Sequence, residues 1–176
     1  MDDLVQRFIE SSRPELEKHL SYYSNAPDID VALDRVTRAE QGPDGLMHKH
    51  QRRVGRDSLS AIRAPLSVAM LGRNGFESFE DLFAVVKAAI SDLPGIGELT
   101  IYDTSLRLGA FFGISPSSVY LQRGALKGAR NFYTRRRIGT PLPLGRSVSC
   151  VGFHPELSEL SAHEIENFLC VMATRL

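Results

Sequence analysis

The chain has 176 residues, 43% of them apolar, which is enough to bury a substantial core in one compact domain spanning 1–176. Its 21 Lys and Arg balance 21 Asp and Glu, which excludes a globally basic nucleic-acid binder and leaves any attraction for a polyanion to the distribution of charge. No apolar run approaches the roughly 20 residues of a bilayer span, Met1-Asp2-Asp3 lacks signal-peptide features, and Cys150 and Cys170 read as reduced thiols, so the expectation is a cytoplasmic protein with no membrane association.

In chain order, Ser12-Arg13-Pro14-Glu15 combines a capping hydroxyl, a proline suited to a first turn and an acid three residues after the cap. It predicts a helix start leading to Leu16, Leu20 and Tyr23. Ile29, Ala32, Leu33 and Val36 predict a second helix over 28–39, closed by Gly42-Pro43. A third is expected over 51–62, with Val54, Leu59 and Ile62 inward, before Pro65 and the 72–75 stretch interrupt the pattern. Ser78, with Asp81 as its capping acid, opens a helix whose stripe is Leu82, Val85, Val86, Ala89, Ile90 and Leu93, and Pro94 ends it. Another helix is predicted over 99–112 with Gly113 as its stop, and Ser115-Pro116 is read as restarting a helix through Ala129. Gly124 and Gly128, four apart, suit close helix packing. Residues 147–153 suit a short strand without an evident partner, and Ser161-Ala-His-Glu164 caps a last helix carrying Ile165, Phe168, Leu169 and Met172. The expected fold class is all-α, a compact helical domain with at most a minor β element.

Between the fourth and fifth predicted helices lies Ile90-Ser-Asp-Leu93-Pro-Gly95-Ile-Gly97-Glu-Leu-Thr100. Gly95 and Gly97 are read as allowing a turn that side chains would forbid, Ile96 as plugging the gap between the helices, and the turn amides as donors to a phosphate oxygen. The stretch resembles the helix-hairpin-helix element of the DNA-repair glycosylase superfamily, placed here over 78–112. The resemblance extends to about Arg130, and the segment from Gly95 to Thr104, with Glu166-Asn-Phe-Leu-Cys170, also looks like bacterial proteins of unassigned function. It implies contact with DNA or RNA through Gly95, Ile96 and Gly97. Two features depart from the family. Glu98 follows the second glycine where a lysine is frequent, and Tyr120, Leu121 and Gln122 stand where the catalytic aspartate is expected, so base excision by the family mechanism is not expected.

Two segments carry the positive charge. Arg52 and Arg53, in His48-Lys49-His50-Gln51-Arg52-Arg53, and Arg123, Lys127, Arg135, Arg136 and Arg137, interleaved with Phe132 and Tyr133, pair cations with stacking groups as nucleic-acid surfaces do. The leading expectation is therefore a nucleic-acid-binding protein, non-catalytic, with no cofactor and no metal. One alternative is an enzyme whose polar cleft holds His48, His50, Asp103 and Tyr120, in which Asp103 orients a histidine; Asp103 and Arg107, four apart, also suit an intrahelical salt bridge. The other is a protein-interaction module that keeps the hairpin for packing alone.

Overall fold

The computed structural model of the chain describes residues 2–135, 138, 147–150 and 153–176, and at 2, 49 and 50 the backbone only. Helices dominate: α1 (Asp2–Arg7), α2 (Arg13–Ser24), α3 (Ile29–Arg38), α4 (Arg56–Ala61), α5 (Arg63–Met70), α6 (Phe79–Ile90), α7 (Glu98–Phe112), α8 (Arg123–Arg135) and α9 (Ala162–Val171). Among the described residues the sheet is a single antiparallel pair, β1 (Ser118–Tyr120) with β2 (Ser147–Ser149). The chain divides into two compact units, one formed by Leu16–Ser115 and the other by Met1–Glu15 together with Pro116–Leu176.

In the continuous unit α3, α5, α6 and α7 pack on one another around Leu33, Val36, Leu66, Leu82, Val86, Ile90 and Ile101. Ser78 caps α6, its hydroxyl accepting from the Asp81 amide at 3.1 Å, and the Gly113 end of α7 is left-handed, both as the sequence predicts. The helix predicted over 51–62 is instead two pieces, a 3-10 turn (Lys49–Arg53) and α4. Gly55 separates them at φ +85, a conformation that a side chain resists. Pro65 lies inside α5 rather than ending it, in the first turn where its missing N–H removes no helical bond.

In the discontinuous unit α8 packs along α9, and β1 lies on α9. Phe8, Val119, Phe132, Leu157, Ile165, Phe168 and Leu169 form its core. Two predictions are corrected here. The first helix does not begin at Ser12: it runs from Asp2 through a π-helical turn (Phe8–Ser12) into α2. Pro14 explains the turn, because its ring crowds the carbonyl four residues back, and a wider turn, with the Arg13 amide bonded to the Phe8 carbonyl, makes room. No helix restarts at Ser115; Ser118, Val119 and Tyr120 pair with Ser149, Val148 and Ser147, and the helix waits until Arg123. The segment around 148 thus has the partner that its sequence left unidentified. The two glycines of α8 serve close packing, as expected. A Cβ on Gly124 would lie 2.5 Å from the Cys170 Sγ, and one on Gly128 would collide with the Leu169 carbonyl.

Candidate functional site

The polar centre of the continuous unit is assembled from three stretches of chain. From α2, His19 presents Nδ1 to the Gln41 carbonyl at 3.1 Å. A carbonyl only accepts, so Nδ1 carries the proton and Nε2 the lone pair. Its ring lies 5.3 Å from that of Tyr23 and 5.4 Å from that of His48. Burial, and then the Arg107 charge, hold the imidazole below its ordinary pKa, against the opposite pull of the Gln41 carbonyl and Asp103.

The second stretch is the loop from Ala39 to His48. Ala39 is left-handed (φ 50) and wholly buried, a costly conformation for a residue with a side chain, kept because its surroundings fix it. Its carbonyl accepts the His48 amide at 2.8 Å, and Gln41 bonds across the loop to the Leu46 carbonyl. Next to it Glu40 is held by two phenols, the Tyr22 hydroxyl on its carboxylate and the Tyr23 hydroxyl on its carbonyl, each at 2.5 Å. Burial, above all, pushes the Tyr23 phenol up to about 12.

From α7 come Asp103 and Arg107. The Gln51 amide donates to Asp103 at 2.5 Å, and the Arg107 guanidinium is 4.0 Å from the same carboxylate oxygen. Gln51 is 1% exposed and Arg107 3%, so the paired charge is sheltered from solvent, where it acts more strongly than a surface pair. The spacing that suggested an Asp103–Arg107 salt bridge is thereby realised, with Gln51 as a third member.

The structure brings His48 and Asp103 into one polar centre, and Tyr120 belongs to β1 of the other unit. The His50 side chain lies outside the described residues. His19 belongs to the centre and was missed: on a helix reading Glu17-Lys18-His19-Leu20 it looks solvated, and its partner Gln41 is 22 residues away. No local signal marks it.

The turn between α6 and α7 corrects one point. Gly95 takes φ +81, and a Cβ there would sit 3.0 Å from the Ser58 hydroxyl of α4. Gly97 is extended at φ −113 with open space where a Cβ would be, so it needs no special freedom. Ile96 packs into the core and its amide bonds to the Leu93 carbonyl. Glu98 pairs with Lys87 at 3.8 Å.

The basic residues belong to different units: exposed Arg52 and Arg53 to the continuous one, Arg123, Lys127 and Arg135 to α8 of the other. Arg136 and Arg137 lie outside the described residues. Arg135 donates to the Arg175 carbonyl. Phe132 is wholly buried and therefore a core residue rather than a stacking one, and Tyr133 packs on Phe153 at 6.2 Å. What remains is an exposed face of Arg123, Lys127 and Arg130, without ion-pair partners among the described residues, on a helix that contains no acid. Among the described residues no helix is long and apolar enough to cross a membrane, and no three His, Cys, Asp or Glu side chains are grouped to hold a metal. The chain matches no family model, no curated protein and no solved structure.

Proposed function

We propose that the protein binds nucleic acid through the solvent face of α8. One observation carries the reading: Arg123, Lys127 and Arg130 recur at helical spacing on an exposed, acid-free face. At a 1.5 Å rise per residue they span about 10 Å of helix, a row of cations suited to successive phosphates rather than to one small anion. Arg52 and Arg53 add exposed charge on the continuous unit, and the Gly95 turn adds backbone donors of the helix-hairpin-helix kind. Tyr120, Leu121 and Gln122 supply no carboxylate for base excision, so DNA glycosylase activity is not part of the proposal.

Fluorescence anisotropy with single- and double-stranded DNA and RNA tests it. With three phosphates neutralised, the logarithm of the binding constant should fall with the logarithm of salt at a slope of about 2.7 on duplex and about 2.1 on single strands. Changing Arg123, Lys127 and Arg130 together to alanine should flatten the slope and weaken binding to every sequence. Failure to bind any of the four polymers at low salt refutes the reading.

A further inference from the structure

We propose that His19 and His48 are the base and the acid of a ribonuclease centre that cleaves RNA by moving its phosphodiester onto the neighbouring 2′-hydroxyl. The two half-buried rings lie 5.4 Å apart, and the tautomer of one is fixed: with Nδ1–H given to the Gln41 carbonyl, His19 keeps its lone pair on Nε2. That is the state a general base requires. The groups around it keep it there. Arg107 and Asp103 face it from α7, Tyr23 from its own helix, and His48 and the Gln41 carbonyl from the 39–48 loop; burial and the Arg107 charge favour the neutral ring.

The rings are also held in place. Strained Ala39 and the two phenols on Glu40 fasten the loop that ends in His48, and Gln51 fixes Asp103 beside Arg107. Backbone strain maintained by its surroundings is a frequent mark of a functional site. The Gln51 Oε1, wholly buried, has no hydrogen-bond partner among the described residues and is an unmet acceptor on the side chain that holds Asp103.

The chemistry selects the substrate. The hydroxyls of Tyr22 and Tyr23 are engaged with Glu40, and that of Ser105 with the Ile101 carbonyl. Two imidazoles can take a proton from a nucleophile and give one to a leaving group, and RNA offers both in one molecule, since it holds a 2′-hydroxyl beside each phosphorus. In the step, Nε2 of His19 takes the 2′-hydroxyl proton and O2′ forms its bond to phosphorus. The bond from phosphorus to O5′ breaks, and protonated His48 gives its proton to O5′. The products are a 2′,3′-cyclic phosphate and a 5′-hydroxyl, with no oxidant or second substrate consumed. Arg107 and Asp103 are positioning residues that act through His19 and the field around it.

The inference shares only the polymer with the binding reading, and one experiment separates the two. The full chain is incubated in EDTA, from pH 5 to 8.5, with a 20-nucleotide RNA labelled at its 5′ end, with its DNA and 2′-O-methyl counterparts, and with the dinucleotide UpA, which offers a single phosphate. Expected are cyclic-phosphate ends, a bell-shaped pH profile, intact DNA and 2′-O-methyl strands, and a loss of about 100-fold or more in His19→Gln and in His48→Gln. Absence of cleavage by the parent chain overturns the inference whatever the variants' stability, as does cleavage that survives in the double His variant. RNA bound but uncut removes the nuclease and leaves the binding reading standing, whereas UpA cut without polymer binding does the reverse.

Discussion

Replacing Gly128 with alanine sets two opposing effects against each other. At a solvent-facing helix position the change is stabilising by about 0.5–1 kcal/mol, because alanine leaves the unfolded chain less freedom to lose. At Gly128 the new Cβ would meet the Leu169 backbone, with the carbonyl carbon at 2.6 Å and the Cα at 3.0 Å. Carbon contacts settle at about 3.5–4.0 Å, so α8 and α9 would have to part by roughly 1 Å, along a seam where Ala125, Ala129, Phe132 and Leu169 are wholly buried. Neither side of that contact is a side chain able to rotate away. Overpacking of this kind costs about 1–3 kcal/mol; with the helix gain subtracted, a loss of up to about 2.5 kcal/mol remains, or up to roughly 10 °C in Tm for a chain of this length. Gly124→Ala is the internal control, since its Cβ would meet the Cys170 Sγ, which can swing aside, and its effect should stay within about 1 kcal/mol. Thermal melts followed by circular dichroism compare the two. A Gly128→Ala protein that melts higher than the parent, or together with Gly124→Ala, would refute the packing argument.

The turn glycines should behave unequally. Gly95→Val, at φ +81 and against Ser58, should cost about 1–3 kcal/mol, while Gly97→Ala, extended and facing open space, should leave the urea midpoint unchanged; equal effects would contradict the geometry. Stability should also rise with pH around 6.5. Burial, with Arg107 in the case of His19, lowers the imidazoles of His19 and His163 from that value, so in the window below it the unfolded chain binds more protons than the folded one. Urea unfolding at pH 5.5 should therefore have a lower midpoint than at pH 7.5, and His19→Gln with His163→Gln should shrink the difference. Glu164, which burial would raise but which Ser161 and Arg13 hold low, acts only below about pH 4.5 and leaves that window clean. An identical midpoint at both values would show that neither histidine is linked to folding.

Signals that lie within one or two helical turns were legible in the sequence. Ser78 with Asp81 and Ser161 with Glu164 are caps whose donor and acceptor sit three residues apart, and both form as read. The helical stripe over 82–93 and the paired glycines of α8 are equally local. Signals that depend on distant partners were not legible. Ser118, Val119 and Tyr120 follow a proline and precede a helix, and they become a strand only because residues 147–149 arrive to pair with them. Phe8, at the head of the π-helical turn, is anchored in a core built mostly from residues beyond 118. At the polar centre, His48 and Asp103 stood out as chemically capable residues, but Gln51 and His19, which tie them together, have nothing in their own neighbourhoods to distinguish them from surface residues.

The division of the chain has a consequence during synthesis. Residues 16–115 emerge as an unbroken run that holds the described core from Tyr23 to Leu108, so this unit can fold while the ribosome is still working. The other unit cannot. Phe8, whose ring meets that of Phe168 edge-on at 5.6 Å, leaves the ribosome 160 residues ahead of its partner, a wait of about 8 to 32 s at 5–20 residues per second. Through that interval Val5 and Phe8 lack the apolar cover that α9 supplies, which makes the α1 segment the natural place for a holding chaperone to bind.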